Sequence, residues 1–318
     1  MLRYFALAVV LALSTASAGA DTYPARPISL VVPFGPGSAT DIFARIVTQT
    51  LQDDLGQTII VDNKPGANAV IAAEYVARAQ PDGYTLMIST ASAHASNVYL
   101  IKNLRYDPIK DFEPIAWIGT VNFFVAVEGS SPYKTLDDLL TAARKNPGKL
   151  SFANSSASAI VSNQAVAKFG GLDVIHVPYK SSPQAMTDVV AGQVTAMIAD
   201  FPAAASYLAS GKLRALAVTG AKRSELYPDI PTLAELGMKD FDLIGWFGIY
   251  APAGTPKDVV QLLSKKLSVV MAKPAVKQRL NQLGYEVFST SPDALRDHTK
   301  AEIANWGRYV KDFDILTK

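Results

Sequence analysis

Residues 33–41, with the sequence PFGPGSATD, constrain the fold more than any other segment of the chain. The largely apolar run before them, 28–32, is typical of a buried strand, and apolar residues recur at helical spacing from Ile42 to Leu51 after them. A turn that leads from a strand into a helix directs backbone N–H groups and the positive end of the helix dipole at one point, where anions bind. Because the turn contains no Lys or Arg, the sequence predicts an anion site made of neutral donors.

Strand-like and helix-like segments alternate through most of the chain, which predicts an α/β fold with parallel sheets covered by helices. Polar turns follow three of the predicted strands, at 34–41, 89–97 and 154–158. Ligands of such sheets bind beyond the carboxyl ends of the strands. Because the first and third turns are far apart in the chain, we expect two facing lobes that each direct a helix start at one ligand.

The amino-terminal residues 1–20 have the pattern of a secretory signal peptide. Arg3 supplies a positive start, 5–13 is a short apolar core, and Ala-Gly-Ala at 18–20 is an A-x-A cleavage site. An uncleaved membrane anchor is the alternative, but no later stretch approaches the roughly 20 apolar residues that a span requires. The chain has no cysteine, which excludes disulfides and a cysteine-linked lipid anchor. We therefore expect cleavage after Ala20 and a periplasmic location.

The charge of the chain is nearly balanced. Its 318 residues include 30 Lys and Arg and 28 Asp and Glu, for a formal net charge of +2. No basic cluster stands out, and this argues against nucleic acid or an anionic membrane surface as a partner. Neither a low-complexity tract nor a solenoid repeat is evident.

A dinucleotide-binding enzyme is one alternative that the first loop raises. Gly35 and Gly37 follow a strand, and Asp62 ends the next strand, which imitates a Rossmann fingerprint. Thr40, however, occupies the position of the third glycine, which close packing of helix and strand requires. Pro36 between the glycines also disfavours a pyrophosphate turn. We therefore rank a nucleotide-dependent enzyme below a binding protein.

Hydrolytic and metal-dependent chemistry finds little support in the sequence. There is neither a G-x-S-x-G elbow nor an H-E-x-x-H pair. The three histidines, His94, His176 and His298, are far apart and lack the spacing of metal ligands. We predict that the protein is not an enzyme and that it needs neither a metal nor another cofactor.

Several segments, taken together and in order, resemble one known family. They are the motif at 33–41 with Ala44-Arg45, Asn63 to Ala67, 81–86 with His94 and Asn97, His176 to Lys180 with Asp188, Gly192 to Val194, Gly211 to Ala217, Pro231-Thr232 with Glu235, and 251–256. The chain is similar over this whole length to the periplasmic solute receptors of tripartite tricarboxylate transporters, also called Bug or TctC-like receptors. The likeness depends on the ordered set rather than on any single motif.

The resemblance implies a type II periplasmic binding protein fold, an α/β architecture of two lobes around a ligand cleft. Lobe one would comprise residues 24–121 and 251–318, lobe two residues 128–244, and the segments 122–127 and 245–250 would be hinge strands between them. The resemblance also implies a monomer that captures a small carboxylate and delivers it to a two-subunit integral membrane permease. A receptor that binds the same ligand but docks on a signalling partner remains an alternative.

The ligand contacts are predicted from the polar turns and from the resemblance. Ser38 and Thr40 would meet the first carboxylate, although a hydroxyl at a helix start also serves as an N-cap. Asp41 would orient the loop, and aromatic residues such as Trp246 could line the cleft. The predicted ligand-binding set is Phe34, Gly37, Ser38, Ala39, Thr40, Asp41, Ser89, Thr90, Ser92, Asn154, Ser155, Ser156, Ser158, Tyr179, Asp200 and Phe201.

Two departures from the family pattern bear on the identity of the ligand. The first loop has Ser38 where the family usually has a second glycine, and the loop 154–160 is poor in glycine and ends at the apolar Ile160. Because apolar walls favour apolar ligand surface, we hypothesise an aromatic or otherwise partly apolar carboxylate, or a dicarboxylate, in preference to citrate.

Overall fold

The computed structural model describes residues 23–315, whose strands form one sheet of six strands and one of five. The strands are β1 (Ile28–Val32), β2 (Ile59–Asn63), β3 (Thr85–Ser89), β4 (Phe112–Val121), β5 (Phe123–Glu128), β6 (Ser151–Asn154), β7 (Ile175–Pro178), β8 (Ala196–Asp200), β9 (Leu213–Val218), β10 (Gly245–Pro252) and β11 (Tyr285–Val287). The helices are α1 (Ala39–Leu55), α2 (Val70–Ala77), α3 (Asn97–Leu100), α4 (Leu136–Lys145), α5 (Ala157–Gly170), α6 (Ser182–Val190), α7 (Phe201–Ala209), α8 (Lys257–Ala272), α9 (Pro274–Asn281) and α10 (Pro292–Asp312).

The six-stranded sheet has the order β11-β4-β10-β3-β1-β2. Strand β1 pairs in parallel with both β2 and β3, as the alternation of strands and helices predicts. Strand β10 runs antiparallel to β3 and β4, and β11 runs antiparallel to β4. The expected parallel pairing is thus found for β1, β2 and β3, and the antiparallel pairing of β10 and β11 makes this sheet mixed.

The five-stranded sheet has the order β7-β6-β8-β5-β9 and is also mixed. Strand β6 is parallel to β7 and β8, whereas β5 is antiparallel to β8 and β9. Phe201, which is 1% exposed, lies in the core beside this sheet. Its ring stacks on Phe124 at 4.6 Å and on Tyr227 at 4.8 Å between ring centroids.

The chain passes from the first sheet to the second at Asn122. Strand β4 ends at Val121 and β5 begins at Phe123, so the two strands form one nearly continuous path. Asn122 Oδ1 accepts a hydrogen bond of 3.0 Å from the N–H of Gly220. A strand that enters a sheet from the edge where its parallel strands end must run opposite to them. This is why β5 is antiparallel to its neighbour β8.

The return path lies beside the outgoing one. The N–H of Leu243 donates to the carbonyl of Thr219 at 3.1 Å, and Gly245 then pairs with Val121 in the first sheet. The proposed hinge strand 245–250 thus pairs within the six-stranded sheet, and most of 122–127 pairs within the five-stranded sheet. The change of sheet occupies fewer residues than the sequence suggested, and the lobe boundaries remain a prediction.

The polar segment 89–97 differs from its predicted turn. A π-helix, Ser92–Ser96, forms there and continues into α3. Ser96 Oγ donates to the carbonyl of Ser92 at 3.2 Å. Because the hydroxyl group of Ser96 is satisfied within the helix, a segment that reads as a polar turn can be helical and buried.

Helix α9 was not predicted at all. Pro274 occupies its first turn, where a missing N–H costs nothing. Of its eight residues only Val276 and Leu280 are buried. Two apolar residues at i and i+4 are too weak a periodic signal to reveal so short a helix from sequence.

No helix within residues 23–315 is long and apolar enough to cross a membrane. The predicted signal peptide, 1–20, and its cleavage after Ala20 lie outside the described residues.

Replacing Phe201 distinguishes a core role from a ligand contact. We expect Phe201→Ala to lower the free energy of unfolding by about 3–5 kcal/mol, because the substitution leaves a cavity between two stacked rings. Phe169→Ala is the control, because Phe169 is 43% exposed and its loss should cost well under half as much. Urea denaturation of both variants checks the prediction; equal losses would contradict it.

Candidate functional site

A cavity lies between the two sheets, with walls from both. The space open to the centres of water molecules is about 50 Å³, several times the roughly 10–15 Å³ that one buried water needs. The cavity is lined by Phe34, Ser38, Ala39, Thr40, Thr90, Ala91, Ser92, Val121, Phe123, Ser155, Ser156, Ser158, Ser182, Asp200, Gly245, Trp246 and Phe247. The wall therefore combines hydroxyl groups with large apolar side chains.

The first wall is the amino terminus of α1. Ser38 is the N-cap, and its Oγ accepts a hydrogen bond of 3.3 Å from the N–H of Asp41. Since that bond uses an oxygen lone pair, the hydroxyl proton of Ser38 is available to a ligand. Gly37 has a φ of +79°, a backbone conformation that glycine adopts without strain. The loop conformation that aims Ser38 at the cavity thus depends on a glycine at this position.

Asp41 holds this loop from behind. Its Oδ2 accepts from the N–H of Gly37 at 2.9 Å, and its Oδ1 accepts from Asn63 Nδ2 at 2.9 Å. Arg45 forms an ion pair with the same carboxylate at 2.9 Å. Burial alone would raise the pKa of Asp41, but the hydrogen bonds from Arg45, Gly37 and Asn63 hold it below its usual value. Asp41 is therefore an ionised anchor of the loop rather than a cavity group.

The facing wall is the amino terminus of α5. Ser156 is its N-cap, and Ser156 Oγ accepts from the N–H of Ala159 at 3.2 Å. Ser92 belongs to the other sheet's side of the cavity, and its Oγ accepts from the N–H of Ala157 at 3.3 Å. This bond joins the two walls directly. As with Ser38, the hydroxyl protons of Ser156 and Ser92 remain available to a ligand.

Thr90 contributes a hydroxyl group that no protein atom satisfies. Its Oγ1 is buried and lacks a hydrogen-bond partner among residues 23–315. Unsatisfied buried hydroxyl groups are uncommon and call for an explanation. The position of Thr90 in the cavity wall supplies one, because a bound molecule would complete its hydrogen bonding.

Asp200 is the acidic residue of the wall. It is 4% exposed, and its Oδ1 accepts from the N–H of Ala203 at 2.9 Å as the N-cap of α7. Ser182 also acts to lower the pKa of this carboxyl, and Ser182 Oγ lies 3.2 Å from Ser155 Oγ. Burial raises the pKa of Asp200, and the hydrogen bonds from Ala203 and Ser182 only partly offset that rise. A carboxyl that is hard to ionise thus faces the same space as the hydroxyl groups.

The apolar part of the wall is aromatic. Phe34, Phe123, Trp246 and Phe247 line it. Trp246 is held from outside the cavity, because its Nε1 donates to Glu302 Oε2 at 3.0 Å. A fixed aromatic surface favours a ligand with an apolar portion.

Ten of the sixteen predicted ligand-binding residues line the cavity. They come from both sheets and include the serines and the threonines at the two facing helix starts. They are Phe34, Ser38, Ala39, Thr40, Thr90, Ser92, Ser155, Ser156, Ser158 and Asp200.

The other six lie outside the lining, and four of them are engaged elsewhere. Ser89 Oγ lies 2.6 Å from Nδ1 of the buried His94. The hydroxyl of Tyr179 donates to Asp188 at 2.6 Å. Asn154 accepts a hydrogen bond of 2.7 Å from Asn163, and Phe201 is in the core described above. The last two, Gly37 and Asp41, shape the first loop.

Six lining residues are absent from the sequence-based predictions: Ala91, Val121, Phe123, Ser182, Gly245 and Phe247. Four of them flank the crossing between the sheets, at 121–123 and 245–247. The expected hinge segments 122–127 and 245–250 were a usable signal, since a ligand between two lobes must rest on the strands that join them. The apolar Ile160, which motivated the ligand hypothesis, does not line the cavity.

Metal-ligating side chains do not gather in the described structure. Within residues 23–315 no group of three His, Asp or Glu side chains is arranged to hold a metal ion.

Comparisons with known proteins agree on one family. The tripartite tricarboxylate transporter family receptor, TctC, matches residues 43–315. Rpa4515 of R. palustris, solved with adipate, is 34% identical, with 93% of this chain and all of that chain covered and a TM-score of 0.90. The periplasmic binding protein BugD is 35% identical, with 93% of this chain and 100% of that chain covered and a TM-score of 0.89. MatC from Rhodopseudomonas palustris with bound malate is 31% identical, with 91% of this chain and 100% of that chain covered and a TM-score of 0.86.

The two buried acids should respond to pH in opposite directions. Asp41 has a lowered pKa in the folded protein, so its contribution to stability is present at neutral pH and is lost as the pH falls below 3.8, its ordinary pKa. We expect Asp41→Asn to lower the free energy of unfolding by about 1–3 kcal/mol at neutral pH, through weaker hydrogen bonds to the loop. Urea denaturation between neutral and acidic pH should show this difference shrinking; a constant difference would contradict it.

Asp200 has a raised pKa, so ionisation destabilises the folded protein as the pH rises above 3.8, its ordinary pKa. Asparagine does not ionise and still caps a helix. The free energy of unfolding of Asp200→Asn relative to the wild type should therefore increase as the pH rises, and it should level off once the wild-type acid is ionised. The same denaturation series measures it, with Asp41→Asn as the variant of opposite sign.

Proposed function

Because the chain belongs to the tripartite tricarboxylate transporter receptor family, we propose that it captures a small carboxylate between its two lobes and delivers it to a membrane permease. Membership of this family makes it a periplasmic solute-binding protein with a type II, two-lobed α/β fold. The relatives are substrate-binding receptors rather than enzymes. The ligand, the permease and the monomeric state are parts of the proposal.

The observation that carries the proposal is the meeting of two helix starts at one cavity. Helices α1 and α5 begin at Ser38 and Ser156, and both N-cap residues line the cavity. Their hydroxyl groups each accept a backbone N–H, which leaves the protons for a ligand. Together with the dipoles of two long helices, such donors bind an anion without a cation. None of the residues that line the cavity is Lys or Arg, so a carboxylate can bind and be released.

The aromatic wall supports a partly apolar ligand. Phe34, Phe123 and Trp246 line the same small space as the hydroxyl groups, so a polar end and an apolar body of one ligand would both contact complementary surface. This arrangement favours an aromatic acid or a dicarboxylate with a hydrocarbon chain over citrate. Rpa4515 was solved with adipate and MatC with malate, and both are dicarboxylates.

Contacts between the walls support capture by closure. A Cβ on Gly35 would lie 3.0 Å from Ser181 Oγ, and one on Gly37 would lie 3.6 Å from Pro183. The first loop therefore lies against the start of α6 on the other side of the cavity. Such a surface exists only when the lobes are together, and a permease that contacts both lobes could distinguish a loaded receptor from an empty one.

A thermal-shift screen tests the binding proposal. The chain from residue 21 onward is heated with mono-, di- and tricarboxylates, with their amides and with nucleotides. A ligand at a hundred times its Kd stabilises the folded state by about 2.7 kcal/mol, which raises the Tm by several degrees. We expect a rise with one or a few carboxylates and none with their amides. A rise with nucleotides alone would contradict the proposal.

Variants at the helix starts test how the carboxylate is bound. Ser38→Gly and Ser156→Gly remove one hydroxyl donor each, while glycine as an N-cap costs the helix only a few tenths of a kcal/mol. We expect each to weaken binding of the acid found in the screen by roughly 10- to 100-fold, the worth of one hydrogen bond to a charged group.

Ser291→Gly is the matched control, because Ser291 caps α10 in the same manner and does not line the cavity. It should leave the affinity unchanged. Unchanged affinity in all three variants would contradict the assigned site.

A further inference from the structure

The acid in the cavity wall is unexpected in a site proposed to bind an anion. Asp200 lines the same cavity as Ser38 and Ser156 and is 4% exposed. Among the described lining residues there is no Lys, Arg or His that could neutralise it. Two ionised carboxylates in one small enclosed space repel each other strongly, and one of them then keeps a proton.

The charged groups around Asp200 do not relieve this repulsion. Asp41 on α1 is itself negative, and Arg45 on the same helix is paired with Asp41. Tyr285 on β11 experiences the charges of both Asp200 and Asp41, and its hydroxyl donates to the carbonyl of Ala39. On the elements packed against the strand of Asp200 lie Lys168 on α5, Asp188 on α6, Tyr207 on α7 and Glu128 on β5. Lys168 forms an ion pair with Asp314, so among the described residues none of these cations is paired with Asp200.

We propose that Asp200 binds a ligand carboxylate as a neutral acid: its carboxyl proton forms a hydrogen bond to the ligand, and an ionised Asp200 takes this proton from solvent when the ligand enters. The inference rests on the carboxylate-binding function proposed above and assigns one further donor to that site. The covalent change is one proton transfer: the O–H bond of Asp200 forms as a hydronium ion or a buffer acid gives up its proton.

The hydrogen bonds of Asp200 leave room for that proton. Its Oδ1 accepts a hydrogen bond of 2.9 Å from the N–H of Ala203. A protonated carboxyl retains acceptor capacity and gains one O–H donor. A hydrogen bond from an acid to a carboxylate is among the shorter and stronger ones in proteins. The raised pKa of the free carboxyl, caused by burial, lowers the cost of protonation.

The proposal predicts how affinity varies with pH. At pH values where the free Asp200 is ionised, Kd should rise by up to about tenfold per pH unit, because one proton is bound with each ligand. The histidines do not compete as an explanation, because burial lowers the pKa of all three. The pKa of His94 is lowered to about 3, and the pKa values of His176 and His298 are also below their ordinary value. Carboxylic acids have pKa values of about 4–5, so above about pH 7 the ligands are fully ionised and a proton taken up on binding belongs to the protein.

Calorimetry of the chain from residue 21 onward tests the proposal. Adipate, malate and benzoate are titrated between about pH 5.5 and pH 8.5, at each pH in two buffers with different ionisation enthalpies. We expect the heat of binding to differ between buffers by the uptake of up to one proton, and Kd to rise towards alkaline pH. Asp200→Asn should abolish both effects and bind more tightly than the wild type at the alkaline end, because its amide donates without titrating.

Asp138→Asn is the control, because Asp138 belongs to the exposed capping box of α4, away from the cavity. It should keep the wild-type pH profile. The wild-type titrations alone decide the proposal even if a variant folds poorly.

Three outcomes overturn the proposal that Asp200 binds the ligand as a neutral acid. Binding with a constant Kd and no proton uptake means that Asp200 stays ionised or only caps α7. The same constant Kd, with binding lost in Asp200→Asn, means that an ionised Asp200 accepts from a donor group on the ligand. Failure of every carboxylate, in these titrations and in the thermal-shift screen, overturns the proposed function, and the inference falls with it.

Discussion

The structure depends on the place where the chain crosses between its two sheets. At Asn122 strand β4 leaves one sheet and β5 enters the other, while the returning chain pairs Gly245 with Val121 beside it. Because both connections lie at the edge where the parallel strands end, the loops that follow those strands are brought to a common space. The cavity floor is made of the crossing itself, through Phe123 and Phe247.

The chemistry of the cavity follows from the hydroxyl protons that the N-cap serines of the two helices leave unbonded. Ser38 and Ser156 accept backbone N–H groups of their own helices, so their hydroxyl protons face a ligand. The charged groups that stabilise the first loop, the ion pair of Asp41 and Arg45, do not line the cavity. The site thus offers neutral donors, and its one lining acid, Asp200, is buried where ionisation is costly. Such a site can select for an anion without holding it permanently.

Local sequence patterns predicted the conformation of the first loop well. At other strand ends, packing against residues distant in sequence leaves predicted ligand contacts outside the cavity lining. The segment 33–41 has a glycine, a serine cap and an amphipathic helix within a few residues, so its conformation is encoded locally. Ser89, Tyr179 and Phe201 also follow or end strands, yet their side chains are engaged by His94, by Asp188 and by neighbouring rings. Whether a residue at a strand end faces a cavity or a core depends on partners that are distant in sequence.

The sequence by itself determined the α/β class, the two facing helix starts and the family, because these rest on periodicity, capping residues and an ordered set of motifs. The tertiary structure decided that the sheets are mixed, that 92–97 is helical, and that Phe123, Ser182 and Phe247 join the cavity wall. It also decided that Asp200, which caps α7, is buried in the cavity wall. The physical reason is that burial and strand direction are properties of the assembled sheets, which no local stretch of sequence carries.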